Sequence, residues 1–135
     1  MNRSGQGSEQ RILSGIRVLV VDDELDAREL VAAVLVHAGA DVELADSAAQ
    51  GVAKLESFDP NMIISDVGMP IEDGYAFMRR VRATSAAPSM ALTAFASEGD
   101  RARAIEAGYT MHVAKPIDPD VLVTTVAMLA RRSAK

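Results

Sequence analysis

Five short apolar segments of the chain have the character of β-strands. The first, IRVLVV at residues 16–21, is rich in β-branched residues and does not alternate with polar ones. Such a run is typical of a strand that is covered on both faces, as in a parallel sheet. Three further apolar strands are predicted at residues 62–66, 90–93 and 111–114. The segment at residues 41–45 alternates polar and apolar side chains, which predicts an edge strand.

A helix is predicted after each of the five strands. Apolar residues at helical spacing define the first helix: Ala27, Leu30, Val31, Val34, Leu35 and Ala38. Gly39 then occupies the position of a left-handed C-terminal cap. Ser47 and Ser97 begin capping boxes for the second and fourth helices, and residues 75–83 form the third. Asp118 caps the last helix, whose apolar stripe is Val121, Leu122, Val126 and Leu129.

The alternation of strands and helices predicts the fold class. It favours an α/β domain with a five-stranded parallel sheet, doubly wound, with helices on both faces and right-handed crossover connections. Residues 16–132 are expected to form this single domain. Residues 1–15 are rich in Gly, Ser, Gln and Asn, and are expected to form a flexible tail or linker.

Composition and charge narrow the class of protein. Of the 135 residues, 49% are hydrophobic and 24% are charged, which is ordinary for a globular domain. No segment approaches the roughly 18 consecutive apolar residues of a membrane span, and the first residues lack the apolar core of a signal peptide. The absence of cysteine excludes disulfides and thiolate metal sites, and fits a cytoplasmic location. A net charge of −5 argues against direct nucleic-acid binding.

Chemically capable side chains collect where the strands end. They are Asp22 and Asp23 after the first strand, Asp66 at the end of the third, Thr93 after the fourth and Lys115 after the fifth. Because the carboxyl ends of parallel strands meet at one edge of a sheet, we expect these residues to lie together. Taken alone, Asp66 in the stretch MIISDVGMPIEDG is either a turn residue or a reactive acid. Its distant partners favour the reactive acid.

The chemistry of this group points to phosphoryl transfer. Three neighbouring carboxylates repel one another, so the group favours a bound cation, and Mg²⁺ suits oxygen ligands of this kind. An aspartate can attack phosphorus to form an acyl phosphate. That reaction requires neutralisation of charge on the transferring oxygens, which Mg²⁺ and the ammonium of Lys115 can supply, with a hydrogen bond from Thr93.

Four segments together resemble the receiver domain of response regulators, the CheY-like proteins of two-component signalling. They are VLVVDDE (18–24), SDVGMPIEDG (65–74), ALTA (91–94) and AKP (114–116). The resemblance implies a flavodoxin-like fold with strand order 2-1-3-4-5. It also implies a phosphorelay module that takes a phosphoryl group from a phosphohistidine of a sensor histidine kinase or histidine phosphotransfer domain. Such a module is a signalling domain and not an enzyme in its own right.

The resemblance assigns the site residues one by one. Asp66 becomes the phosphoacceptor, and Lys115 pairs with the phosphoryl group. Mg²⁺, for which Mn²⁺ can substitute, is bound directly by Asp23, mainly through water by Asp22, and by Asp66. The backbone carbonyl of Gly68 completes the protein's share of the coordination. No other cofactor is implied.

The switch residues are also assigned by resemblance. The hydroxyl of Thr93 takes part in the chemistry and swings toward the phosphoryl oxygens, and the coupled position falls on His112. Tyrosine or phenylalanine is commoner there, so a histidine either simply fills the slot or makes the output sensitive to pH. The Lys115-Pro116 bond is expected to be cis. A downstream protein is expected to bind a face made by the fourth helix, the last strand and the last helix.

Two other functions remain open. A Mg²⁺-dependent phosphatase with an aspartyl nucleophile resembles a DxD arrangement on one loop, whereas Asp22 and Asp23 adjoin and Asp66 lies on another strand. A phosphorylation-independent interaction module would normally have lost the acids or the lysine, and all of them are present. The chain is expected to be either a stand-alone receiver or the receiver of a hybrid histidine kinase.

Phe95 generates a prediction about the lifetime of the phosphorylated form. It lies two residues after Thr93, a position that flanks the path of the attacking water in the family that the chain resembles. We expect Phe95→Ala to change the rate of dephosphorylation, because the bulk of the ring restricts water beside the site. The decay of the phosphorylated protein after removal of the phosphodonor measures this rate. An unchanged rate would contradict the assignment.

Overall fold

The computed structural model describes residues 12–94 and 97–133, so our expectation for Phe95 lies outside the described residues. Five parallel strands form one sheet: β1 (Arg17–Val21), β2 (Asp41–Ala45), β3 (Met62–Asp66), β4 (Ser89–Thr93) and β5 (Met111–Ala114). Five helices alternate with them: α1 (Leu25–His37), α2 (Ala48–Phe58), α3 (Gly74–Arg82), α4 (Glu98–Ala107) and α5 (Pro119–Ser133). None of the helices within the described residues combines the length and the apolar character needed to cross a bilayer.

The strand order is β2-β1-β3-β4-β5, and every neighbouring pair is parallel. Both the fold class and the edge position of β2 that the sequence predicts are confirmed. The chain reverses its direction of winding between β1 and β3, and in such sheets a crevice opens outside the carboxyl ends of the strands at that point.

Two apolar layers cover the two faces of the sheet. Val18 and Val20 of β1 belong to the layer that contains α1 and α5, whereas Leu19 and Val21 belong to the layer that contains α2, α3 and α4. Every residue of β3 and β4 is buried. This burial on both faces explains why the central strands do not alternate in sequence.

The predicted helix caps are confirmed. The side chains of Ser47 and Ser97 each accept a hydrogen bond from the backbone N–H three residues later, at 3.1 Å in both cases. Asp118 accepts from the N–H groups of Asp120 and Val121. Gly39 follows α1 with a φ of 102°, in the left-handed region that favours glycine.

Two residues that the helical pattern assigns to the core are exposed. Leu30 of α1 is 63% exposed and Val121 of α5 is 49% exposed. Consecutive residues on a helix are about 100° apart, so neighbours of a buried residue can lie outside the buried stripe. Val31 and Leu122, each next in sequence and also part of the predicted stripes, are buried as expected.

The N-terminal boundary of the folded part also differs from the prediction of a tail that extends to residue 15. Leu13 is fully buried in the layer beside α1 and α5, and its N–H donates to the carbonyl of Ala38 at 2.9 Å. The guanidinium of Arg131 donates to the carbonyl of Ile12. Residues 12–15 therefore belong to the folded domain, whereas residues 1–11 lie outside the described part of the chain.

Gly51 lies inside α2, where glycine is unfavourable and the sequence offers no reason for it. A Cβ atom at this position would lie 2.8 Å from Cε1 of Phe77 and 3.1 Å from Cγ2 of Val21. Phe77 is fully buried on α3. The missing side chain thus allows α2 to pack closely against the sheet and α3.

We expect Gly51→Ala to lower the free energy of unfolding by about 1 kcal/mol, because overpacking costs about 1–3 kcal/mol and the gain in helix propensity returns about 1 kcal/mol. Urea unfolding measures the change. Gly99→Ala in α4 is the matched control. The nearest atom to its Cβ would be the Ser97 hydroxyl oxygen at 3.9 Å, so this substitution should leave stability unchanged or raise it. A Gly51→Ala variant as stable as the wild type would contradict the steric explanation.

Candidate functional site

The strand ends bring the predicted site residues to one edge of the sheet. Asp66 pairs in register with Leu92, and Thr93 pairs with Ala114, so the ends of β3, β4 and β5 are level. An open pocket of about 380 Å³ lies over this edge. Its lining consists of Asp23, Glu24, Asp66, Val67, Gly68, Thr93, Ala94 and Lys115.

Lys115 connects two of the carboxylates. Its Nζ atom lies 3.1 Å from Oδ1 of Asp66 and 3.3 Å from Oδ2 of Asp22. The backbone N–H of Lys115 donates to the carbonyl of Thr93 at 2.8 Å, which fixes the lysine next to the end of β4. The Lys115-Pro116 peptide bond is cis, as the resemblance implies.

Asp22 is held rigidly beneath the pocket. Only 2% of the residue is exposed, and its Oδ1 atom accepts a hydrogen bond from the N–H of Glu24 at 3.0 Å. The guanidinium of Arg28 donates to the backbone carbonyl of Asp22 at 2.8 Å. Sequence reasoning missed Arg28, because an arginine on the first turn of a helix carries no signal that it turns back to the preceding strand.

The acidic group fits a hard divalent cation. Asp22, Asp23 and Asp66 each offer a carboxylate oxygen, and these oxygens lie within 4.8 Å of one another. Asp23 is exposed, whereas Asp22 and Asp66 are buried. Carboxylate oxygens at a partly open site are the ligands that Mg²⁺ prefers, since Mg²⁺ keeps part of its water shell.

Burial of Asp66 disfavours its ionised form. Loss of contact with water is the largest cause and raises the pKa of Asp66, and the negative charge of Asp22 raises it further. The hydrogen bonds from Lys115 and from the N–H of Gly68 oppose this shift without cancelling it. Burial likewise opposes the charge of Lys115, but its hydrogen bonds and charge interactions with Asp66 and Asp22 outweigh burial and raise the pKa of Lys115.

Gly68 lies at the mouth of the pocket. A Cβ atom at this position would meet no atom within 4 Å among the described residues. An alanine side chain at position 68 would therefore cause no steric clash with these residues. Its absent side chain keeps the space beside Asp66 open.

The two predicted switch residues lie on neighbouring strands and on the same face of the sheet. Thr93 is buried at the end of β4, and His112 is partly buried on β5, in register with Ala91. Both face the layer that contains α4, because Met111 and Val113 pack into the opposite layer. The Nε2 atom of His112 is buried and has no hydrogen-bond partner within residues 12–94 and 97–133.

The raised pKa of Asp66 yields a stability prediction for the metal-free protein. A carboxyl group with a higher pKa in the folded state binds its proton more tightly when folded, so ionisation at neutral pH destabilises the fold. We expect Asp66→Asn to be more stable than the wild type at pH 7 in a chelating buffer. The difference should shrink as the pH falls through the acidic range in which the carboxyl group becomes protonated.

Thermal unfolding at a series of pH values measures this difference. Asp41→Asn, at an exposed position at the opposite end of the strands, serves as the control for the loss of one negative charge. An Asp66→Asn variant that is less stable than the wild type at pH 7 would show that ionisation of Asp66 does not destabilise the fold, and would contradict the prediction.

Comparison with known proteins agrees with this geometry. Residues 18–127 match the family model of the response regulator receiver domain. An uncharacterized 14.6 kDa protein of Leptolyngbya boryana is 38% identical over 117 residues, which cover 84% of this chain and 89% of that protein. The response regulator Rre1 of Synechocystis is 38% identical over 124 residues, which cover 88% of this chain and 54% of the relative.

A solved structure extends the agreement to three dimensions. The chemotaxis response regulator CheY4 of Vibrio cholerae is 32% identical, with a TM-score of 0.79, and the match covers 84% of this chain and 98% of that one. The chain spans only about half the length of several relatives that are transcriptional regulators. From its sequence match and its fold, the chain belongs to the response regulator receiver domains of two-component signalling.

Proposed function

We propose that Asp66 accepts a phosphoryl group from a phosphohistidine of a sensor histidine kinase or a histidine phosphotransfer domain. The observation that carries this proposal is the contact of Lys115 Nζ with Asp66 Oδ1 at 3.1 Å, inside a pocket that two further carboxylates border. The carboxylate nucleophile of Asp66, the ammonium of Lys115 and the carboxylates that can hold a metal ion thus lie together at a pocket that is open to a phosphoryl group. We propose a cytoplasmic location for this reaction.

The reaction is a displacement at phosphorus. A carboxylate oxygen of Asp66 attacks the phosphorus atom as the phosphorus–nitrogen bond to the donor imidazole breaks, and the imidazole nitrogen takes the bonding electron pair. The ammonium of Lys115 lies close enough to Asp66 to pair with the phosphoryl oxygens. Thr93, at the end of β4, contributes a hydroxyl group on the same pocket wall. No general base is required, because the attacking carboxylate carries no proton.

Mg²⁺ is the cofactor that the acidic group fits. Asp23, exposed at the pocket, is the direct ligand that we propose, together with Asp66 and the backbone carbonyl of Gly68. Both carboxylate oxygens of Asp22 already accept a hydrogen bond, one from Lys115 and one from the N–H of Glu24. We therefore propose that Asp22 contacts the metal mainly through water. When bound, the ion supplies positive charge to the transferring phosphoryl oxygens.

We propose that the phosphorylated form changes an interaction surface on α4, β5 and α5 for a downstream protein. Thr93 and His112, on the face toward α4, are the switch residues. Exposed apolar side chains that suit a protein partner lie on α4 and α5: Ile105 is 50% exposed, Val121 is 49% exposed and Met128 is 55% exposed. The domain would act in this way either alone or as the receiver of a hybrid histidine kinase.

The alternatives are less well supported. Membership of the receiver family does not favour the aspartyl phosphatase. Retention of the acids and of Lys115 in mutual contact argues against a module that has lost phosphorylation. As a receiver domain the chain has no kinase activity of its own in this proposal.

Incubation with Mg²⁺ and acetyl phosphate tests the phosphoacceptor directly. We expect intact mass spectrometry to detect a phosphoryl adduct on the wild type and on Asp41→Asn, which has the same charge change at an exposed position away from the pocket. Asp66→Asn should show no adduct, because the attacking carboxylate oxygen is missing. EDTA should suppress the adduct on the wild type. Equal labelling of Asp66→Asn and the wild type would overturn the assignment.

A further inference from the structure

Two hydroxyl groups are buried directly behind Asp66, and the chemistry described so far does not use them. Ser65 is fully buried, and its hydroxyl donates to the backbone carbonyl of Asp66 at 2.9 Å. Tyr109 is 3% exposed, and its phenolic hydroxyl donates to the backbone carbonyl of Gly74 at 2.8 Å. The Ser65 bond lies at the end of β3, and the Tyr109 bond lies at the beginning of α3.

The loop of residues 67–73 connects these two points and carries Gly68 at the pocket. Its ends are in direct contact, because the N–H of Gly74 donates to the carbonyl of Val67 at 2.9 Å. A Cβ atom at Gly74 would lie 2.4 Å from the backbone oxygen of Asp66 and 2.6 Å from Cα of Val67. The first residue of α3 is thus pressed against the backbone of the phosphoacceptor, and a displacement of Gly74 displaces Asp66.

Tyr109 is itself firmly attached to α4. It follows Gly108, whose φ of 117° ends that helix, and its N–H donates to the carbonyl of Ala104 at 3.0 Å. Its ring lies in the apolar layer with Phe77 and Met78 of α3. Burial is the main cause that raises the pKa of the Tyr109 hydroxyl, so the group remains a neutral donor to Gly74.

We propose that Tyr109 is a positioning residue of the phosphorylation site, which fixes the loop of residues 67–73 against Asp66 through its hydrogen bond to Gly74 and ties that loop to the C-terminal end of α4. Tyr109 touches neither the phosphoryl group nor the metal ligands in this arrangement, and it acts through the backbone of Gly74. The inference about transfer rests on the proposed function, whereas the inference about the loop does not.

Removal of the hydroxyl alone tests the proposal. Tyr109→Phe keeps the ring in the apolar layer but removes the side-chain donor to the Gly74 carbonyl, so the loop should loosen. We expect Mg²⁺ to bind roughly three- to tenfold more weakly, the effect of losing about one hydrogen bond. The labelling rate with acetyl phosphate at saturating Mg²⁺ should fall by a similar factor, and the Gly74 amide should exchange its hydrogen faster.

Tyr75→Phe is the matched control. Tyr75 adjoins Gly74 and is also buried, but its ring packs against the guanidinium of Arg103. The Cζ atom of Arg103 lies 4.3 Å from the centre of the Tyr75 ring. Within the described residues its hydroxyl has no hydrogen bond to the loop. Loss of this hydroxyl should leave Mg²⁺ affinity, labelling rate and exchange of the Gly74 amide at their wild-type values.

The remaining readouts separate local from global effects. A purely structural role would accelerate amide exchange throughout the sheet, for example at Val20, together with Gly74. The proposal would be overturned if Tyr109→Phe retained the wild-type Mg²⁺ affinity and the wild-type exchange rate of the Gly74 amide. It would also be overturned if the Val20 amide exchanged faster by the same factor as the Gly74 amide. A wild type that bound Mg²⁺ but took no phosphoryl group would contradict the proposed function alone, and the Mg²⁺ and exchange measurements would still decide on Tyr109.

Discussion

Lys115 holds two carboxylates that would otherwise repel each other, and the architecture of the site depends on this contact. Its ammonium lies 3.1 Å from Asp66 and 3.3 Å from Asp22, both of which are buried. The compensation is incomplete, because the pKa of Asp66 remains raised. Excess negative charge beneath an open pocket favours a bound divalent cation, because the cation offsets the repulsion between the carboxylates.

The parallel sheet is what makes this contact available. Asp22 and Lys115 are 93 residues apart in sequence, and they meet because β1 and β5 end at the same edge of the sheet. Local forces then set the details: Arg28 fixes the carbonyl of Asp22, and the N–H of Lys115 bonds to Thr93. The reactive geometry is therefore a consequence of strand order first and of side-chain chemistry second.

The sequence predicts those features that have local causes. Strands buried on both faces, capping residues such as Ser47 and the strand-end acids all carry signals within a few residues. Burial that depends on distant partners carries no such signal. Leu13 is buried because it packs in the apolar layer with residues such as Ala38, and Gly51 is needed because the ring of Phe77 lies against it. The hydrogen bond from Tyr109 to Gly74 spans 35 residues and likewise escapes any local pattern.

Two connections lead from the pocket toward α4 and β5, and they differ in kind. The bond from the N–H of Lys115 to the carbonyl of Thr93 joins two backbones, so it survives most substitutions of either side chain. The bond from Tyr109 to Gly74 depends on one phenolic hydroxyl. A backbone link of the first kind depends on the fold, whereas the second depends on the side chain at position 109. The attachment of the loop of residues 67–73 to α4 in this chain can therefore be weakened at residue 109 alone, without any change in the residues that line the pocket.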